Sequence, residues 1–444
     1  MYTGIMRREL YQNLLAWKQS KYRKPLVLKG ARQTGKTWLV KEFGRNEFQN
    51  LYVFNCDKTP EIADIFSRGY DTTRIIRDLE ALLGTRIQPE NSLLFFDEIQ
   101  QVPTALAALK YFCEDAPQYY VASAGSLLGL AIHEGVSYPV GKTDEMTLYP
   151  LTFPEFVMAS ESGGIRYRKL CADAVGDLDT LRESFMDLLR QYYFTGGMPE
   201  AVQAYVDNRQ PSDIRAIQKT IIADYTLDIS KHAPKEILGR IHQVWNSIPQ
   251  QLVKQNRKFI YGDIQKGARA KDFEPAIQWL IDAGMVAKVS RVRKAGIPLK
   301  YYEDFNAFKL FLSDLGLMGA MVDAPISQLV SQKNIFTEYK GSFSEQYVFQ
   351  QLQKYISNGI FYYSAENSQA EIDFLLQTAE HLVPVEVKAE ENLRAKSLRQ
   401  FASQYPGSRP VRVSMSPFRK ETWMVNVPLY AASRIMDAVR EEVP

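Results

Sequence analysis

The 444-residue sequence is poor in metal-binding and cross-linking side chains, with three cysteines and four histidines. Cys56, Cys113 and Cys171 contain no Cys-x-x-Cys pair, and His133, His232, His242 and His381 do not cluster. That spacing argues against a disulfide framework and a structural zinc site. Long apolar runs are missing: nothing approaches the roughly 18 residues of a membrane span, and residues 1–10 carry no apolar signal core. These absences predict a cytoplasmic chain with no membrane partner. Excess charge is missing too. The 54 basic and 51 acidic side chains leave a formal +3, so a basic surface must come from local clustering. The 45% apolar content is that of a globular protein, and the length allows about three domains.

Against this background one motif stands out. Gly30-Ala31-Arg32-Gln33-Thr34-Gly35-Lys36-Thr37 is a complete Gly-x-x-x-x-Gly-Lys-Thr phosphate-binding loop. It follows the apolar run Pro25-Leu26-Val27-Leu28 and precedes an amphipathic segment opening with Trp38. Glycines let the backbone curl so that its N–H groups point at phosphate oxygens, and the following helix aims its positive end at the same place. Residues 30–38 are therefore expected to hold ATP, with Lys36 on the β- and γ-phosphates and Thr37 on Mg²⁺. A chance Gly-rich turn would not need both the strand before and the helix after.

Leu93-Leu94-Phe95-Phe96-Asp97-Glu98 reads as a buried strand delivering two carboxylates to the same place. Asp97 is expected to act on the Mg²⁺ shell and Glu98 to polarise the attacking water, which points to hydrolysis. A third strand, Gln118-Tyr119-Tyr120-Val121-Ala122-Ser123, runs into Ala124-Gly125-Ser126. Either Ser123 or Ser126 could present a hydroxyl to the γ-phosphate; alternatively these residues simply make the turn.

The order of elements predicts an α/β fold. Alternating strands and helices from about 25 to 130 imply a parallel sheet with nucleotide at its carboxyl edge. We place a P-loop ATPase core at 1–145 and a helical lid at 146–232, the latter opening with a short strand and a helix starting at Phe153. Thr195-Gly196-Gly197-Met198-Pro199-Glu200 makes a tight turn within it. Residues 233–325 predict a winged helix: a helix over 237–248, a short strand Phe259-Ile260-Tyr261, two helices, and a ribbon of Met285-Val286-Ala287-Lys288-Val289 with Leu299-Lys300-Tyr301-Tyr302. Lys266, Arg269, Lys271, Arg291, Arg293 and Lys294 then stand where such modules touch DNA phosphates. The alternative is a solvated basic face used for protein contacts or as an ATPase lid.

A small α/β domain is expected at 326–444. Glu371-Ile372-Asp373 and Glu386-Val387-Lys388 fall on two strands; the two-residue repeat puts Glu386 and Lys388 on one face, and an antiparallel neighbour can set Asp373 beside them. Two carboxylates holding Mg²⁺ and a lysine orienting or deprotonating a water meet the needs of phosphodiester hydrolysis, with Glu345 on an earlier helix completing the metal shell. Glu-x-Lys is also a common solvated strand face.

The 30–37 loop, Phe96-Asp97-Glu98, Leu148-Tyr149-Pro150-Leu151-Thr152-Phe153, Gly196-Gly197-Met198-Pro199-Glu200, Asp314-Leu315-Gly316-Leu317 and the two acid strands together resemble the prokaryotic AAA-type ATP-binding proteins with a C-terminal domain of unknown function. That family's C-terminal region is similar to the PD-(D/E)xK nuclease fold. The resemblance implies that Asp373, Glu386 and Lys388 match the nuclease triad and Glu345 the helical acid before it. Relatives often carry Gly-Arg before the Tyr-Pro-Leu strand, where this chain has Gly141-Lys142. If a second copy of the chain reaches its neighbour's nucleotide through that position, Lys142 supplies a point charge without bidentate geometry. Two functions follow: an ATPase acting on DNA, or an ATP-dependent conformational switch or transcription-related DNA- or protein-binding protein with a catalytically silent tail. A protein remodeller would need an aromatic pore loop, and none is evident.

Overall fold

The computed structural model describes residues 7–126, 128–131, 138–161, 164–253, 258–325, 340–365, 371–389 and 395–440. It separates into two compact units. One comprises Arg7–Tyr149 together with Gln278–Met285, and the other Pro150–Ile277 with the described residues from Val286 onward.

The first unit is built on five parallel strands: β1 (Leu26–Lys29), β2 (Asn50–Asn55), β3 (Ser92–Asp97), β4 (Tyr120–Ala124) and β5 (Asp144–Thr147), in the order β2-β3-β4-β1-β5. Successive residues supply opposite faces. Val27, Leu94, Phe96 and Val121 join one buried cluster, while Leu26, Leu28, Leu93, Phe95, Ala122 and Ala124 join the other. Both faces are thus covered, as a doubly wound sheet requires. β5 alternates half-buried and exposed residues and, among the described residues, pairs with β1 alone, so the strand expected to open the lid is the edge of this sheet instead. Its polar sequence suits an edge, where one side faces water. The registers Leu28↔Ala124 and Asp97↔Ala124 bring the carboxyl ends of β1, β4 and β3 level.

In the second unit, helices fill most of residues 153–253, and the first starts at Phe153 as expected, with Thr152 and Glu155 forming a reciprocal capping box. Behind it, motifs far apart in sequence converge. A Cβ on Gly196, whose φ is +71°, would lie 2.3 Å from Asp314 Oδ1, and one on Gly197 would lie 2.1 Å from the Leu151 carbonyl oxygen. The buried Asp314 carboxylate accepts from the N–H groups of Gly197 at 2.6 Å and Leu317 at 3.0 Å. Burial raises its pKa against those bonds. Close backbone passage around one buried acid explains this glycine pair.

Among the described residues the unit's sheet has eight strands: β6 (Val286–Val292), β7 (Glu303–Leu312), β8 (Phe361–Ser364), β9 (Glu371–Gln377), β10 (Leu382–Val387), β11 (Val411–Ser414), β12 (Arg419–Lys420) and β13 (Val425–Pro428). Their order is β12-β13-β11-β10-β9-β8-β6-β7. This alters the expected ribbon in three ways. β6 pairs in parallel with β8, so the β6–β7 hairpin is continuous with the acid-bearing sheet rather than a free wing. Leu299–Tyr302 is a 3-10 turn, and the returning strand begins at Glu303, because Leu299 turns inward as an anchor while Lys300 and Tyr301 face solvent. Phe259-Ile260-Tyr261 is not a strand: a helical turn starts at Tyr261, and Phe259 merely donates its N–H to Phe308. The boundary expected at 326 lies outside the described residues.

Candidate functional site

β1 ends at Lys29, and the chain turns at Gly30 with φ +143°. A Cβ there would sit 2.2 Å from the Leu148 carbonyl oxygen, so only glycine fits this pass beside the segment after β5. Gln33 at φ +63° and Gly35 at φ +93° continue the curl into the helix Lys36–Glu47. Thr34 ties the loop by donating its hydroxyl to Ala31. Arg8, which carried no sequence signal, is buried and braces the loop from outside, donating to the carbonyls of Thr34 at 2.9 Å and Tyr149 at 2.5 Å. Of the expected nucleotide-binding stretch 30–38, Arg32 and Trp38 are exposed and the rest buried or half-buried.

The buried Lys36 ammonium donates to the carbonyls of Gly30 at 2.8 Å and Ala31 at 2.7 Å. Burial pulls its pKa down to about 8, against the attraction of Glu98 and Asp97. Asp97 reaches past β4 to accept the Thr37 hydroxyl at 2.9 Å; burial raises its pKa, and that hydrogen bond opposes the rise. Glu98 follows in the left-handed region at φ +52°, a strained conformation for a side chain larger than glycine. Its Oε2 accepts from Gln100 Nε2 at 2.6 Å and from the Ser126 hydroxyl at 3.5 Å. Ser123 points elsewhere: its buried hydroxyl donates to the Leu26 carbonyl and serves the sheet. Of the two candidate serines, Ser126 is the one beside the acids.

A segment remote in sequence also lines the loop. The first part of that segment, the end of the helix Ala270–Asp282, passes Gly129, outside the loop, where a Cβ would stand 2.2 Å from the Asp282 carbonyl oxygen. One on Gly284 would stand 3.1 Å from Ala31 N. No local pattern announces that approach. Lys142, the expected trans cation, pairs with Glu114 at 2.9 Å.

In the second unit β9 and β10 are antiparallel neighbours in the register Val385↔Phe374, which puts Asp373 next to Glu386. Asp373 Oδ2 accepts the Val387 N–H at 2.8 Å, and Lys388 Nζ lies 2.8 Å from Glu386 Oε1. Glu386 Oε2 is buried without a hydrogen-bond partner among the described residues, and burial raises its pKa despite the lysine. Arg412 of β11, unforeseen from sequence, stands in register with Glu386 and donates from Nε to Asn426. Glu345 is placed differently from expectation. It is fully buried and paired at 3.1 Å with the equally buried Lys309, which also contacts Glu371 at 2.9 Å. A buried ammonium needs a counter-charge, and Glu345 supplies it. Among the described residues no set of three or more His, Cys, Asp or Glu side chains gathers to hold a metal.

The sheet order, the loop and the acid-bearing strand define the first unit as a P-loop NTPase core. Residues 22–157 match the model of an AAA domain, so the core is of AAA type. Residues 186–328 and 340–430 match two domains of unknown function, DUF8612 and DUF4143. No curated protein matches the chain. Among solved structures, a Walker-type ATPase of Pyrococcus abyssi is similar at 14% identity and TM-score 0.46, covering 72% of this chain and 96% of that one. The Orc1 protein of Aeropyrum pernix in complex with DNA is similar at 14% identity and TM-score 0.29, covering 73% and 93%. The RuvB Holliday junction branch migration motor of Thermotoga maritima is similar at 15% identity and TM-score 0.27, covering 66% and 90%. Likeness this distant carries no functional argument. No described helix is long and apolar enough to cross a membrane.

Proposed function

We propose that the protein hydrolyses ATP in its first unit and uses its second unit on DNA. The observation that carries the first half is the Thr37–Asp97 hydrogen bond beside a buried Lys36. A hydroxyl paired with a carboxylate suits a Mg²⁺ ion, and a buried ammonium held inside a glycine-rich loop at a helix start suits phosphate oxygens. Bound Mg²⁺ would neutralise charge developing on the phosphates. In this reading Lys36 leaves its loop carbonyls for the phosphates, Thr37 and Asp97 hold the metal, and Glu98 orients the attacking water and takes its proton. Gln100 and Ser126 keep the Glu98 carboxylate in place meanwhile. Purified protein should turn over ATP with Mg²⁺, and Lys36→Ala should abolish binding or turnover; equal turnover in that variant would sink the assignment.

For the second unit, Lys266, Arg269, Lys271, Arg293 and Lys294 are exposed cations available to phosphates. The orphan Glu386 Oε2 beside Asp373 fits a divalent cation, with Lys388 to orient a water. The existing Glu386–Lys388 pair and the diversion of Glu345 to Lys309 favour a second reading, in which the tail is silent and ATP drives a conformational switch.

A further inference from the structure

The connection between β6 and β7 carries more exposed rings and cations than an edge hairpin needs. The pairing register jumps in the two strands beside it: Ser290 faces Phe308, but the next residue, Arg291, faces Asp304, which leaves residues 305–307 of β7 as a bulge. The bulge is built around Asp304, only 2% exposed. Its carboxylate accepts from Arg291 Nε at 3.0 Å, from an Arg293 guanidinium nitrogen at 3.2 Å and from the Asn306 N–H at 3.1 Å. Those bonds hold the chain so that Phe305 projects into solvent at 68% exposure. Just before it, buried Leu299 anchors the 3-10 turn. Tyr302 packs so tightly over Gly296 that a Cβ there would lie 2.7 Å from its ring. Tyr301 is left outside at 82% exposure, its ring edge-on to that of Tyr302. Arg293, Lys294 and Lys300 are exposed along the same connection.

Single exposed aromatics are common and need no explanation. Two within five residues, each presented by a buried scaffold and preceded along the chain by three exposed cations, form a pattern with a chemistry of its own. We propose that this hairpin end binds single-stranded DNA, with Tyr301 and Phe305 stacking on bases and Arg293, Lys294 and Lys300 taking phosphates. Aromatic faces accept any unpaired base, and nearby cations neutralise the backbone between stacked bases. A duplex hides its base faces and would engage only the cations. The proposal rests on the reading of the second unit as DNA-binding and names the form of DNA it takes.

The test uses the full chain with a labelled oligothymidine, a duplex of equal length, and an oligonucleotide carrying 2-aminopurine. Tyr301→Ala and Phe305→Ala should each weaken single-strand binding about tenfold and remove the fluorescence change of 2-aminopurine. Both should leave ATP turnover and the melting temperature as in the parent, and Phe305→Trp should keep affinity. Lys294→Glu with Lys300→Glu should flatten the salt dependence. Full single-strand affinity in the Tyr301→Ala/Phe305→Ala double variant, or tighter binding of duplex than of single strand, overturns the stacking role. If the charge variants still lose binding in that case, the DNA-binding reading survives. No binding of any DNA by the parent chain overturns both.

Discussion

Lys36 and Glu98 each occupy an unfavourable state, and a nucleotide would relieve that of Lys36. Lys36 is desolvated, and its pKa of about 8 lies below the ordinary lysine value of 10.5. In that window the unfolded chain binds more protons than the folded one, so this group's contribution to stability rises with pH from about 8 to 10.5. Phosphate oxygens restore the charged form, so nucleotide binding should take up a proton above about pH 8 and weaken as pH rises further. Calorimetry at about pH 9 in two buffers of different ionisation enthalpy should show the uptake, and buffer-independent heats would refute it. Glu98 sits in a left-handed conformation within reach of Gln100 and Ser126. Glu98→Gln should retain ATP and lose about a hundredfold or more in turnover, read by single-turnover hydrolysis; turnover equal to the parent would remove Glu98 from the chemistry. Lys36 was legible because the phosphate-loop motif fixes spacing along one stretch, and Glu98 and Ser126 were candidates because each follows an apolar strand. Arg8 and Gln100 were not, since their partners are set by the fold.

At the scale of elements, strand alternation and burial decide which charges are structural. β7 carries Lys309 on a fully buried face, where Glu345 from the helix Lys340–Tyr355 and Glu371 at the start of β9 meet it under the Tyr362 ring. Lys309→Met should cost about 3–5 kcal/mol, because a buried carboxylate loses its partner. Adding Glu345→Leu should recover most of that loss. Urea unfolding measures both, and a loss below about 1 kcal/mol for the single variant would mean that the pair is not coupled as its geometry implies. The expected short strand at 259–261 and the returning strand at 299–302 were misplaced for one reason: aromatic residues signal strand by propensity, but tertiary context gave them turns.

For the whole molecule, the nucleotide loop and the Asp373–Glu386 pair fall in different compact units. Asp373→Ala should therefore leave ATP turnover within about twofold of the parent while removing any Mg²⁺-dependent DNA cleavage. Strand breaks that persist in the variant point to another nuclease; intact DNA with normal ATP turnover in the parent favours the silent tail. The sequence by itself determined the P-loop core, because a phosphate loop needs glycines at fixed spacing between a buried strand and a helix. It also put Asp373 on one strand and Glu386 with Lys388 on one face of another, because side chains alternate every two residues. Only the tertiary structure decided that β5 completes the first sheet, that β6 and β7 extend the acid-bearing sheet, that Glu345 answers Lys309, and that Gly284 packs against Ala31 of the phosphate loop. Those outcomes depend on which distant segments share hydrogen bonds or a buried charge, and local periodicity carries no record of such partners.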